Sequence, residues 1–143
     1  MGKVVRSIGA VIVGFVVASL VMALIEFVNG HVLYPELGKA AEGMTDREAI
    51  RALMASAPVG AFLMVLFGWA LGSLVGGFLA AWIGWSAPVA NALVLGGLLT
   101  LAGIANNLML PPPGWFWILS LVVLLPAAYA GARLAPGKIP TTG

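Results

Sequence analysis

The chain has 143 residues, of which 62% are hydrophobic and 8% charged, and its formal net charge is +2. Soluble domains typically carry about 25% charged residues, so this composition excludes a solvated surface and leaves no room for a second, soluble domain. Cysteine is absent, which excludes disulfides, thiol catalysis and Cys-ligated metals, and the seven Lys and Arg residues are too scattered to form a nucleic-acid patch.

Four apolar runs take up most of the length, at residues 4–28, 59–83, 88–110 and 115–135. Each is close to or above the roughly 20 residues that a helix needs to cross a bilayer core of about 30 Å. The expected architecture is an all-α membrane protein: one integral membrane domain built as a four-transmembrane-helix bundle, with a short amphipathic helix in the first outer loop, residues 29–57.

The first run follows Lys3 and Arg6, and Val21-Met22-Ala23 resembles a signal-peptide cleavage site. The run is longer than the usual signal-peptide core of about 7–15 residues, so it is read as a retained span. Small residues recur by fours at Ala10, Gly14 and Ala18. Continuing the same step reaches Met22 and then Glu26, the one acidic residue inside any run. On this reading Glu26 shares the small-residue face and turns into the bundle, away from lipid. Intramembrane ionisable groups are functional candidates by default, and a carboxylate in low dielectric takes up a proton unless it is paired.

The loop after this run holds Asn29, His31 and Tyr34-Pro35. Its middle reads Thr45-Asp46-Arg47-Glu48, which fits a capping box in which the Thr hydroxyl accepts from the Glu48 amide. Ala49, Ile50, Leu53 and Met54 then share one helical face, with Arg47, Glu48 and Arg51 off it. A plain connector is the alternative.

The second run carries Gly68, Gly72 and Gly76, a doubled GxxxG, with Trp69 between them. Lipid tails are as apolar as leucine, so membrane helices associate through close packing and hydrogen bonds, and small residues mark their contact faces. The third run offers Gly96, Gly97 and Gly103, then Asn106 and Asn107; the fourth offers Ala127, Gly131 and Ala135, with Pro126 expected to loosen or kink it. Gly14, Gly68, Gly72, Gly76 and Gly131 are therefore the expected packing positions, within one bundle or between subunits.

With four spans, Lys3, Arg6, Arg133 and Lys138 fall on one side without an acid, whereas Lys39, Arg47 and Arg51 on the other are outnumbered by Glu36, Glu42, Asp46 and Glu48. The bias in basic residues places both termini in the cytoplasm. Trp82 and Trp85 then flank the cytoplasmic turn, and Trp115, Phe116 and Trp117 open the last span at the other interface.

The candidate ligand- or proton-binding residues are Glu26, Asn29, His31, Asn106 and Asn107, which the topology brings to one layer beneath the loop helix. His31 or an amide of Asn106 or Asn107 is the expected partner of Glu26. The bland alternative has Glu26 reaching headgroup water and the asparagines bridging helices at about 0.6 kcal/mol each. No catalytic residue, cofactor or metal site is expected. One histidine is too few for a multi-His site, and Ser19, Ser73 and Ser120 have no base beside them in sequence. Asn91 and Thr100 are read as helix-bridging or back-bonded residues.

The order of features resembles a loose set of small, uncharacterised bacterial four-span inner-membrane proteins. The residues that carry the resemblance are Ile25-Glu26-Phe27, Tyr34-Pro35, Gly68-Trp69-Ala70-Leu71-Gly72, the stretch from Ala105 to Pro111, Trp115-Phe116-Trp117 and Leu125-Pro126-Ala127-Ala128. It implies the fold and a bacterial inner membrane, and no activity. Small multidrug-resistance transporters also place a Glu in their first span, but well inside it and with uniformly short loops. The functional expectation is a non-enzymatic accessory or scaffold protein that joins itself or other membrane subunits through its glycine faces and holds membrane lipid. The alternative is a small oligomeric transporter or channel with Glu26 as the proton- or ion-coupling group.

Overall fold

A computed structural model describes residues 2–137. Lys138, which entered the charge count, lies outside the described residues. Helix α1 spans Gly2–Val28 and runs on through a π-helical turn, Asn29–Leu33; α2 (Pro35–Ala41) and α3 (Arg47–Ser56) follow. Then come α4 (Val59–Ile83), α5 (Pro88–Met109) and α6 (Gly114–Leu134). There is no strand among the described residues, and four helices are long and apolar enough to cross a membrane.

The distribution of side chains is that of a protein with an apolar solvent. Leu20, Leu101 and Ile118 stand 64–67% exposed on the outside of the bundle, whereas Ala, Gly, Ser and Asn make up much of what is buried. Prolines Pro35 and Pro88 start their helices, where a missing amide hydrogen costs nothing. Gly43, at φ +71°, stops α2 just beyond its C-cap, a left-handed position that glycine takes without strain.

Helix α4 is the centre. Its Gly68–Gly72–Gly76 face receives α1, and its opposite flank, around Leu74, Gly77 and Phe78, receives α6. Helix α5 lies across α4 between them, with Leu95 packed against Gly14 and Gly76. The α1–α4 contact is antiparallel: Gly14 meets Gly76, Ala18 and Met22 meet Gly72, Ile25 meets Gly68, and Asn29 meets Ala61. A Cβ placed on Gly76 would stand 2.7 Å from the Gly14 carbonyl oxygen, and one on Gly72 2.8 Å from that of Ala18. Gly77 and Gly131 bring the α4 and α6 backbones equally close, at Ala128 and Leu74. All five expected packing glycines thus sit at contacts inside one bundle. Gly97 does not: a Cβ there meets nothing within 4 Å.

Two expectations need correction. The capping box does not form. Helix α3 starts one residue later than that motif requires, with Asp46 as N-cap and no side-chain capping bond, so the third helical position is Ala49 rather than Glu48. Helix α6 continues through Pro126. Phe116 does not face the interface with its tryptophan neighbours; it is buried and packs on Phe62 and Trp69 at ring-centroid distances of 5.3 and 5.9 Å.

The glycine contacts set the stability of the bundle. Gly76→Val should destabilise the protein by about 1–3 kcal/mol or more, the usual cost of overpacking, because the atoms it meets are backbone. Gly97→Val should stay within about 0.5 kcal/mol, as for a surface change. Thermal unfolding of both variants in mild detergent, followed by circular dichroism, measures the difference.

Candidate functional site

Helix α1 leans on α4 and barely touches α5, and the seam between α1 and α5 is open. Small residues line it on both sides: Ser19 and Ala23 from α1, and Ala102 and Gly103 from α5. Trp69 of α4 and Leu124 of α6 form its floor. This lateral groove has a volume of about 210 Å³. Toward the end of the bundle that carries α2 and α3 it meets a second cavity of about 290 Å³, and Glu26 and Asn106 line both. The walls of the second cavity are Asn29 and Gly30 of the π turn, Asn107 and Leu110 of α5, and Phe62 and Phe116. Leu37 and Ala41 of α2 and Ile50, Leu53 and Met54 of α3 roof it.

Glu26 stands between the two cavities and lines both. Its Oε1 accepts a hydrogen bond of 2.9 Å from the indole nitrogen of Trp69, which is itself 4% exposed. The side chain is nonetheless exposed on the surface of the chain rather than turned into the bundle. Helical geometry explains the difference. A step of four residues overshoots a turn by about 40°, so Glu26 has rotated roughly 120° from Gly14. Ile25 and Asn29, seven and eleven residues beyond Ala18, return to the α4 face and make its contacts there. Glu26 is left at the edge of the interface, where its carboxylate reaches the groove.

The asparagines are anchored through their amide nitrogens. Asn29 donates from Nδ2 to the Ala61 carbonyl at 3.0 Å, and Asn107 donates from Nδ2 to Ser120 Oγ at 3.0 Å. Ser120 in turn donates to the Trp117 carbonyl at 3.2 Å. In both asparagines Oδ1 is buried and has no partner. Such an orphaned acceptor costs about 1–3 kcal/mol, and two of them belong to residues that line one cavity. A third orphan, Ser73 Oγ, lines neither cavity.

The structure therefore brings Glu26, Asn29, Asn106 and Asn107 together and leaves His31 out. The π turn, closed by a 2.8 Å bond from the Tyr34 amide to the Asn29 carbonyl, carries His31 to the exposed side. There its ring stacks on Phe27 at 4.2 Å, and Nδ1 lies 3.0 Å from the Phe27 carbonyl oxygen. The partner of Glu26 is the Trp69 indole and neither His31 nor an asparagine. Thr100 bonds back to the Gly96 carbonyl and Asn91 donates to that of Gly84, so neither joins the site. No group of three His, Asp or Glu residues is placed to hold a metal among the described residues.

The chain matches no family model, no curated protein and no solved structure. The reading of the site rests on its own geometry.

Trp69 and Ser120 are the two site residues that the sequence did not flag. A buried indole N–H needs an acceptor, and Glu26 is the one carboxylate within the spans. That pairing of needs was the available signal. Replacing Glu26 by Leu should destabilise the protein by about 1–3 kcal/mol, because the buried indole donor loses its acceptor, whereas Glu26→Gln keeps an acceptor and should cost less. In a double-mutant cycle by denaturation, Glu26→Leu should add little once Trp69 is Phe.

Proposed function

We propose that this chain is a non-catalytic integral membrane protein, an accessory component of the bacterial inner membrane with both termini in the cytoplasm, that holds one amphiphilic molecule in its outer half. The observation that carries the reading is the adjacency of the two cavities, which share Glu26 and Asn106 in their walls. One end is roofed and bears a carboxylate and three asparagines; the other is a groove walled by alanine, glycine and apolar residues that opens sideways between α1 and α5. A molecule with a polar head and a hydrocarbon tail matches both ends in a single pose. Amphiphile sites are mostly apolar, with a few placed polar groups that fix orientation.

In this reading α3 is an amphipathic roof at the membrane surface. Arg47, Glu48 and Arg51 are exposed, while Ile50, Leu53 and Met54 are half-buried over the cavity. Lipid is the first partner. Association with other copies or other subunits has to use faces other than the glycine stripes, which the bundle itself occupies.

The second reading, a small oligomeric transporter or channel coupled through Glu26, is supported by the position of that carboxylate in the walls of both cavities. Against it stands the filling of the opposite half. Leu95, Ala18, Ala80 and Ala128 are fully buried there, and the α1 and α4 backbones touch, so a through-path needs those helices to separate. Substrate flux into liposomes that Glu26→Gln abolishes would decide for the transporter.

Ala102→Trp tests the leading reading. Ala102 is exposed and lines the groove, so the indole fills the tail site without entering the core. Lipid retained through purification and seen by native mass spectrometry should fall about tenfold, equivalent to a loss of about 1.4 kcal/mol in binding, while the unfolding temperature stays near that of the parent. Undiminished lipid would show that the groove holds none.

A further inference from the structure

We infer that the end of the bundle opposite the roofed cavity carries a seat for the headgroup of an anionic phospholipid, with Arg133 as its contact residue. The inference does not depend on the amphiphile site above. The turn from α4 to α5 and the end of α6 enclose a cavity of about 340 Å³ there. Buried Ala81 and Ala132 and half-buried Val89 supply its apolar wall, and exposed Trp85, Arg133 and Pro136 its rim. Among the described residues of that lining, Trp85 and Arg133 are the two whose side chains carry a polar atom, and both groups donate only. Arg6 of α1 stands over the Trp85 ring at 5.0 Å, so a second guanidinium is held beside the cavity.

Charge decides what fits. The five acidic side chains of the chain run from Glu26 to Glu48, all toward the other end, and Glu26 is about 30 Å along α1 from Arg6. Neither guanidinium therefore has a carboxylate side chain beside it. Helix dipoles do not set the sign of the site, because the start of α5 and the end of α6 meet there and their partial charges oppose. A zwitterionic head would bring an ammonium to two cations with no acid to receive it. An anionic head brings a phosphate without that ammonium, and a guanidinium holds phosphate through two parallel hydrogen bonds. Basic pockets between membrane helices suit acidic headgroups for this reason. The occupant is a lipid rather than a free anion because the cavity lies at the ends of the spans. Trp82 and Leu134, 53% and 65% exposed beside it, face the depth where headgroups meet acyl chains.

The test is native mass spectrometry of the full chain in mild detergent, with equal amounts of phosphatidylglycerol and phosphatidylcholine of the same acyl chains added after purification. Phosphatidylglycerol should be retained in preference, and Arg133→Gln should cut that preference about fivefold, the effect of one basic side chain near an anionic surface. Pro136→Trp, which fills the cavity from an exposed position, should do the same. Lys3→Gln, an exposed charge at the same end but outside the lining, should leave the preference close to that of the parent. All three variants should keep the parent's unfolding temperature and its retention of phosphatidylcholine. The preference should persist in Ala102→Trp, which separates this seat from the groove between α1 and α5. Equal retention of the two lipids by the parent would overturn the inference. Equal losses in Lys3→Gln and Arg133→Gln would also overturn it, since they would show diffuse surface charge and no seat. So would displacement of phosphatidylglycerol by inorganic phosphate, which would assign the cavity to a soluble anion. A preference lost in Ala102→Trp would move it to the groove and end the inference while the amphiphile site stood.

Discussion

The contact of the α1 and α4 backbones is the constraint from which the rest of the arrangement follows. In hydrocarbon a leucine gains nothing by facing another helix, so the helices meet where their side chains are smallest and dispersion and carbonyl contacts are densest. Gly14 on Gly76 and Ala18 on Gly72 place α1 on one flank of α4, and Gly77 and Gly131 place α6 on the other. Once both flanks are occupied, α5 can only lie across the middle. It packs well on α6 and α4 and poorly on α1. The groove between α1 and α5 is therefore the by-product of two tight interfaces, and it lies beside the one span that bears an acidic group.

The polar groups of the spans divide along the same geometry. Where helices are close, Thr100 bonds to Gly96 and Asn91 to Gly84, though Ser73 Oγ there has no partner. Where the bundle opens, the bonds reach between helices and leave oxygens over. Trp69 is the hinge between these regimes. Its ring belongs to the core with Leu95, Leu99 and Leu124, and its nitrogen belongs to the groove. A buried polar network with unfilled acceptors is less stable than a fully satisfied one, and both unfilled asparagine oxygens belong to residues that line the roofed cavity.

Much of this was legible in the sequence. The four apolar runs lie within one or two residues of the helices observed, because length and hydropathy alone define a span. The glycine register identified its contact residues, since close approach admits few alternatives. The orientation of Glu26 was not legible from a step of four, because 3.6 residues per turn carries such a stripe around the helix. Nor was the isolation of His31, which depends on a π turn that no residue pattern announces. The Trp69–Glu26 bond joins positions 43 apart and became visible only once the antiparallel register of α1 and α4 was known. The cavity roof followed partly from the apolar face of α3, but its N-cap was misplaced by one residue because Thr45 and Asp46 are both good caps.

The π turn at the end of α1 has a structural consequence of its own. A π turn carries one residue more than an α-helical turn does, and the helices that follow inherit the phase shift that residue creates. Removing a single amino acid between positions 29 and 33 would restore ordinary winding and swing α2 and α3 by about 100°, carrying the roof off its cavity while the spans beneath kept their register. The shelter over the polar end thus depends on the count of residues in one short stretch more than on which residues fill it, so length changes there should be tolerated far less well than exchanges of its exposed side chains.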